Sequence, residues 1–551
     1  MLSYLNQMTM KRKSILYMLL LPLLAAGCSK NTGSETVGNI YPAPNPYLSS
    51  PIYGVSHFNP AQNDAFPYTV KRGEFRVNLD SMQTIYSGPI NIMTLASTDS
   101  KYMWGVSTDR VVYIDCSDGK WNAVASIGLP GIRQIPEEGL KKLVQSDYTT
   151  VQQVKDIAKG VLGDNPQGVT ANGLYTVADR DNNVYVNAGT KISVFGLKDK
   201  MDPAKGIEVK RTFETKDIFK PMSILGMPSD VRFIGMNMTY DGRLVIGAYN
   251  GIAVIDREFR DKPVVYQIED GQLISNSLCV DEKNGIYIVS GSLTNKGDGM
   301  LRRVMWTGRE LSDREEDGAW SAVYEGGNWP PAIKAGTGSG TTPTLMGYGE
   351  NDKLVVITDG ADRMNLVAFW REDIPEDFVQ IAGTKSRRIA DQIPVTAGRP
   401  ADQQWIQSEQ SVVVVGWGAF VVNNVITDGL PDKVEDAMAI GPVVALPMGC
   451  ERFEWDTIEH KWASVWTRGD AVSISTVPVA SSESGIVFIN GYTEKEGWEM
   501  TGLDWNTGLV VTRIIFGKNN LGNGAYAIEQ FLPNGDLLFN SLVGTIRIPL
   551  N

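Results

Sequence analysis

Three oxygen-bearing side chains, Asn172, Asn276 and Glu409, stand near the starts of apolar, strand-like runs. Carboxylate and amide oxygens of this kind suit a hard cation such as Ca²⁺. The same side chains also serve turns and strand ends as hydrogen-bonding groups, so both roles stay open. No Asp-x-Asp-x-Asp-Gly loop strengthens the metal case. A second polar stretch, Gly336-Thr337-Gly338-Ser339-Gly340-Thr341-Thr342-Pro343-Thr344, offers the hydroxyls of Thr341, Thr342 and Thr344 beside glycine amides. Such groups can hold a ligand or an anion. No Gly-Lys-Ser/Thr follows, so it is not a phosphate-binding P-loop, and a flexible connection is the plain alternative. Asp359-Gly360-Ala361-Asp362-Arg363 reads as a hairpin turn with a surface ion pair, with a substrate clamp as the alternative.

The chain holds only two histidines, His57 and His460. A Ser–His–Asp triad or a His-built metal centre needs a histidine inside the site. His57 falls in an N-terminal segment and His460 in a turn between strands, so neither chemistry is expected. Trp and Tyr number 13 and 20, enough for a stacking surface as well as for packing.

The elements that must position these residues are strands. Glu499–Gly517 shows the unit: a strand, an Asp-Trp-Asn-Thr-Gly turn and a β-branched strand. Similar hairpins return from about residue 91 onward, with inner strands expected near 92, 172, 234, 275, 342, 409, 472 and 525. Regular four-strand units with no Pro/Gly-rich linker between them point to an all-β, eight-bladed β-propeller, with seven blades as the alternative. The opposing possibility is a pair of β-sandwiches or several small β domains. Near-helical spacing of Leu140, Leu143, Val144, Val151, Val154 and Ile157 predicts a short helical insertion at about 135–163. The last unit supplies three strands, and Tyr68–Val77 is expected to add the fourth. Trp104, Trp306, Trp370 and Trp466 are expected between the blades.

Asp504-Trp505-Asn506-Thr507-Gly508 resembles the Asp-x-x-Thr-Gly turns of quinoprotein-type propeller repeats. The resemblance implies the propeller and covers most of residues 90–550. The regular Trp docking motif and the adjacent-Cys pair are missing, so a bound quinone is not expected. Calcium-dependent propeller lactonases place Glu, Asn and Asp around a channel metal, which is the comparison that gives Asn172, Asn276 and Glu409 their interest.

The N-terminus carries an address. Lys11-Arg12-Lys13, the apolar run Ile15–Leu24 and Leu24-Ala25-Ala26-Gly27-Cys28 resemble a bacterial lipoprotein signal, with Ala25 where the family usually has Leu. On that reading residues 1–27 are removed and Cys28 is acylated. Residues 28–50 then tether a domain, 51–551, to the membrane. Ser29 after the cysteine favours the outer membrane by resemblance to enterobacterial sorting. The net charge of −12 becomes −15 once three cationic residues leave with the signal, which argues against nucleic acid. Cys116, Cys279 and Cys450 are an odd set and read as small buried hydrophobes. The leading functional expectation is a lipid-anchored envelope propeller that binds a small molecule, a glycan or a protein. The alternatives are a Ca²⁺-assisted hydrolase or lactonase at the channel mouth and a scaffold subunit of an envelope complex.

Overall fold

Apolar runs of four to eight residues, broken by Asp, Asn and Gly, fold here as antiparallel strands. The computed structural model describes residues 40–551, apart from 90–92, 145–148, 165–171, 220–221, 225–226, 230–232, 295, 329–335, 350–351, 425–440, 444–447, 474–475, 525 and 551. The expected signal and Cys28 lie outside the described residues. By contact the chain divides into Met1–Val37 and Gly38–Asn551. The second unit is mostly β with few helices.

Among the described residues there are eight sheets of four or more strands, in chain order, and one two-stranded sheet. Their innermost strands are Met93–Ala96, Val177–Ala178, Phe233–Met238, Cys279–Val280, Thr344–Met346, Val413–Val415, Val479–Ser481 and Gln530–Phe531. In the seventh sheet, Gly497–Asp504 and Val510–Gly517 form the expected hairpin. Asp504 Oδ1 accepts from the backbone N–H groups of Asn506 and Thr507 and from the Thr507 hydroxyl, which sets the turn.

Two expectations need correction here. The fourth strand of the eighth sheet is Thr84–Tyr86, paired with Gly544–Ile548, and not Tyr68–Val77. Within that stretch, Gly73–Arg76 runs parallel to Val510–Gly517 at the outer edge of the seventh sheet. Glu74 and Arg76 are exposed, whereas Ile85 has an apolar side to bury. The seventh inner strand is Val479–Ser481, because Val472 ends the long outer strand Lys461–Val472 of the sixth sheet.

Helices α1 (Glu137–Leu143) and α2 (Val151–Leu162) form the insertion. Thr150 and Gln153 close a capping box at the start of α2. Leu140, Leu143, Val154, Ala158 and Leu162 join a core cluster that also contains Phe66, Trp498 and Phe531.

Indole N–H groups link one sheet to the next. Trp104 donates to Asn182, Trp306 to Asp241, Trp320 to the Arg371 carbonyl, Trp455 to Asp352 and Trp466 to the Trp505 carbonyl. Trp121 donates to the Thr545 carbonyl and so joins the first sheet to the eighth. Trp104, Trp306 and Trp370 are buried, and Trp466 is half-buried.

The segment before the first sheet occupies the middle of this arrangement. From Asn45 to Phe66 it hydrogen-bonds the innermost strand of every sheet. Tyr53 donates its hydroxyl to the Phe531 carbonyl, and its own carbonyl accepts from Ala96 N. The carbonyls of Gly54, Pro60, Ala61, Asn63 and Asp64 accept from Ala178, Val280, Leu345, Val414 and Ala480. Asn237 Nδ2 reaches the Pro60 carbonyl at 3.2 Å, completing the set with the third sheet. One segment thus contacts the inner strands of all eight sheets. The described part of the expected tether, residues 40–50, is itself docked: Asn45 is buried and donates to the Met238 and Thr239 carbonyls.

Candidate functional site

The inserted segment enters where the inner strands finish, with Leu48 bridging Asp179. It leaves past Ser484, whose hydroxyl accepts from Val70 N. Its reversal, His57–Asp64, lies towards the end where the inner strands begin. His57 Nδ1 is 3.0 and 2.9 Å from the two carboxylate oxygens of Asp64. His57 is 4% exposed and Asp64 fully buried. Burial pushes the Asp64 carboxyl up, and the charge of His57 only partly offsets this. His57, Phe58, Gln62 and Asp64 all have φ between 53° and 78°. Four non-glycine residues in the left-handed region within eight positions store strain of the kind found at ligand clamps and active sites.

Tyr175, Asn276, Thr342, Glu409 and Tyr526 each stand just before an inner strand, at this same mouth. The His57 ring stacks on Tyr175, with centroids 6.2 Å apart and 24° between planes. The Tyr175 hydroxyl donates to Asn276 Oδ1 at 2.6 Å, and Thr342 Oγ1 donates to the same oxygen at 3.2 Å. Asn276 Nδ2 donates to the Gly340 carbonyl at 2.7 Å and to the Glu409 carbonyl at 3.3 Å. The Tyr526 hydroxyl lies 3.4 Å from Glu409 Oε2, and Tyr526 again has a left-handed backbone, φ 58°. Tyr175, Tyr249, Asn276, Glu409 and Tyr526 are half-buried. Burial raises the Tyr175 pKa, and the fields of Tyr249, Asp64 and Glu409 raise it further. Burial, followed by the charge of Glu409, does the same to Tyr526.

The sequence candidates therefore separate. Asn276, Thr342 and Glu409 come together. Asn172 Oδ1 accepts from Gly189 N and holds a loop of the second sheet. Thr341 is buried against Ser339 and Thr358 N, and Thr344 donates to the Gln62 and Val412 carbonyls. The Gly336–Thr344 stretch is a buried seam and not an open ligand loop. A Cβ on Gly338 would sit 2.7 Å from Gly291 Cα, so glycines are needed for two backbones to touch. The donors do not fit Ca²⁺ either. Asn276 Oδ1 already accepts from Tyr175, Thr342 and Ser277 N, and Asn172 lies elsewhere. Among the described residues no three His, Cys, Asp or Glu side chains converge at metal distance.

No family model matches the chain. A protein of Archaeoglobus fulgidus described only as uncharacterised is 32% identical over 353 residues, covering 62% of this chain and 64% of that protein. The chain thus spans less than two thirds of that relative's length. Among solved structures it is similar to the Dos1 propeller, at 13% identity over 65% of this chain and 81% of that one, TM-score 0.36. It is also similar to the periplasmic gluconolactonase of Pseudomonas aeruginosa, at 12% identity over 61% of this chain and 84% of that one, TM-score 0.35. Likenesses this distant carry no argument about chemistry.

His57 is the main correction to the sequence reading, which kept histidine out of the channel. When Nδ1–H donates to Asp64, Nε2 keeps its lone pair. Among the described residues Nε2 makes no hydrogen bond. A neutral imidazole held in this way can accept a proton at Nε2 and return it. Asp64, Tyr175, Tyr249 and Tyr526 were also missed. One signal existed: His57-Phe58-Asn59-Pro60-Ala61-Gln62-Asn63-Asp64-Ala65-Phe66 flanks an amide-rich turn with two phenylalanines, which is core composition rather than linker composition.

Proposed function

We propose that the eight sheets are the blades of one closed β-propeller, and that its mouth binds a small molecule to which His57 gives, or from which it takes, a proton. The observation that carries this reading is the buried His57–Asp64 pair stacked on Tyr175. Asp64 orients the imidazole and stabilises its charged form. Asn276 fixes Tyr175, and Glu409 and Tyr526 supply polar contacts at the rim. The reaction class is general acid–base: activation of water on an ester or lactone, or removal of an acidic proton. The same ion pair also closes the turn of the inserted segment, and that purely structural role is what the experiment must separate. The mature protein is assayed against a panel of esters and lactones. His57→Asn is expected to lower kcat by about a hundredfold or more with KM little changed. No turnover by the wild-type protein, or equal turnover by a folded His57→Asn protein, contradicts the proposal.

Attachment to the bacterial outer membrane through Cys28 belongs to the same proposal and is supported by residues 1–29 alone. Cys28→Ala is expected in the soluble fraction after lysis. Its persistence in the membrane fraction contradicts an acyl anchor.

A further inference from the structure

We infer that the face on which the inner strands finish rests on a lipid surface, with Met201, Val379, Ile458 and Leu509 entering its apolar layer beside the acyl anchor. The inference rests on the closed ring and the Cys28 anchor proposed above. Met201 is 92% exposed, Ile458 81%, Val379 80% and Leu509 64%, the most exposed large apolar side chains among the described residues. Solitary exposed apolar residues are ordinary on a protein surface, but these four share one structural position. Each lies in the turn between the third and fourth strands of its sheet. Met201 falls between Lys191–Leu197 and Ile207–Glu214, and Val379 between Asn365–Trp370 and Ile389–Pro394. Ile458 falls between Met448–Asp456 and Lys461–Val472, and Leu509 between Gly497–Asp504 and Val510–Gly517. In an antiparallel sheet the third strand runs as the first does, so each of these turns stands at the end where the inner strand finishes. The turns from second to third strand stand at the other end, where Ser107-Thr108-Asp109, Gly189-Thr190 and Glu494-Lys495-Glu496 are polar.

The N-terminal segment arrives on this same face. Tyr41 Oη lies 2.7 Å from Ser482 Oγ, just beyond the inner strand Val479–Ser481. The Ala43 carbonyl accepts from the Tyr240 hydroxyl, just beyond the inner strand Phe233–Met238. Residues 28–40 reach at most about 45 Å when fully extended, so an acyl group on Cys28 keeps this face within that distance of the bilayer. Charges beside the tips balance. Lys200, next to Met201, stands between Asp199 and Asp202, and Lys461, near Ile458, pairs with Glu459. The contact is therefore apolar, and salt leaves it in place.

The test uses the mature protein, purified from the envelope and reconstituted into vesicles of phosphatidylethanolamine and phosphatidylglycerol. Met201→Cys, Val379→Cys, Ile458→Cys and Leu509→Cys each take a polarity-sensitive dye, Cys116, Cys279 and Cys450 being buried. Glu494→Cys, at the opposite end of the seventh sheet, is the control. The four tip labels are expected to shift to the blue and to be quenched by spin-labelled lipid, at low and high salt alike, while the control does neither. Changing Met201, Val379 and Ile458 to Ser is expected to remove most of the quenching of the Leu509→Cys label, with the melting temperature unchanged. Tip labels that stay in water while the protein sediments with the vesicles overturn the inference and leave the anchor standing. Protein that does not sediment removes the anchor, and the inference with it. A quenched control, or quenching of only some tips, contradicts a shared contact face. Labels shielded in envelope fragments but not in pure-lipid vesicles would identify a protein surface and overturn the lipid one.

Discussion

Asp359 and Asp64 are both buried carboxyls, but only one has an acid–base partner. Asp359 is 1% exposed and accepts from Ala361 N, Asn365 N and Asn365 Nδ2. Those neutral donors do not offset burial, which pushes its pKa from 3.8 up to about 7. The folded value lies above the unfolded one, so the folded state holds its proton more tightly. The associated stability is complete below about pH 4 and is lost as pH rises to about 7. Asp359→Asn cannot titrate and keeps the turn acceptor. Its urea stability is expected to gain on the wild type by a few kcal/mol between those limits, at about 1.4 kcal/mol per pKa unit. Parallel stability–pH curves for the two proteins would contradict that placement. At this scale the sequence placed Asn276 and Glu409 just before inner strands, and the structure brings them together with Thr342. It did not reveal His57, because nothing local marks a segment that will be inserted between distant strands.

The elements were more legible than the residues. Apolar runs ending in Asn recur as Val422-Asn423, Ile489-Asn490 and Phe539-Asn540. Each of these asparagines ties the chain entering or crossing its sheet: Asn423 to Gln407 N and the Met448 carbonyl, Asn490 to Gly522 and Gly524, Asn540 to the Ile528 carbonyl. The hairpin period shows in sequence because side-chain alternation and turn chemistry are local. The fourth strand of the last sheet was misplaced because its partner lies more than four hundred residues away, a separation on which no local pattern reports. The Gly-rich stretch was misread for a related reason: its glycines answer to Gly291, across a sheet boundary. A Cβ at Gly291 would lie 2.4 Å from Gly338 N, with backbone that cannot retreat. Gly291→Ala is expected to cost about 1–3 kcal/mol in urea unfolding. Gly160, exposed in α2 with nothing within 4 Å of an added Cβ, gives the opposite sign. Gly160→Ala is expected to stabilise by roughly 0.5–1 kcal/mol. Equal effects at the two positions would remove the seam argument.

At the scale of the whole molecule, the N-terminal segment ties the eight inner strands together. The carbonyls of Gly54, Pro60, Ala61, Asn63 and Asp64 satisfy backbone N–H groups of five inner strands. The turn that results carries the only histidine of the mouth, and Asp64 accompanies it. The central claim is that His57 is held by Asp64 beneath Tyr175 with Nε2 open to the mouth. Because the chain has two histidines, ¹⁵N-histidine NMR reads this directly, with His460→Gln assigning the signals. The account predicts that at alkaline pH His57 is the Nδ1–H tautomer with a slowly exchanging imidazole proton, and that Asp64→Asn abolishes this signature. An Nε2–H tautomer, or a rapidly exchanging ring indifferent to Asp64→Asn, would contradict it.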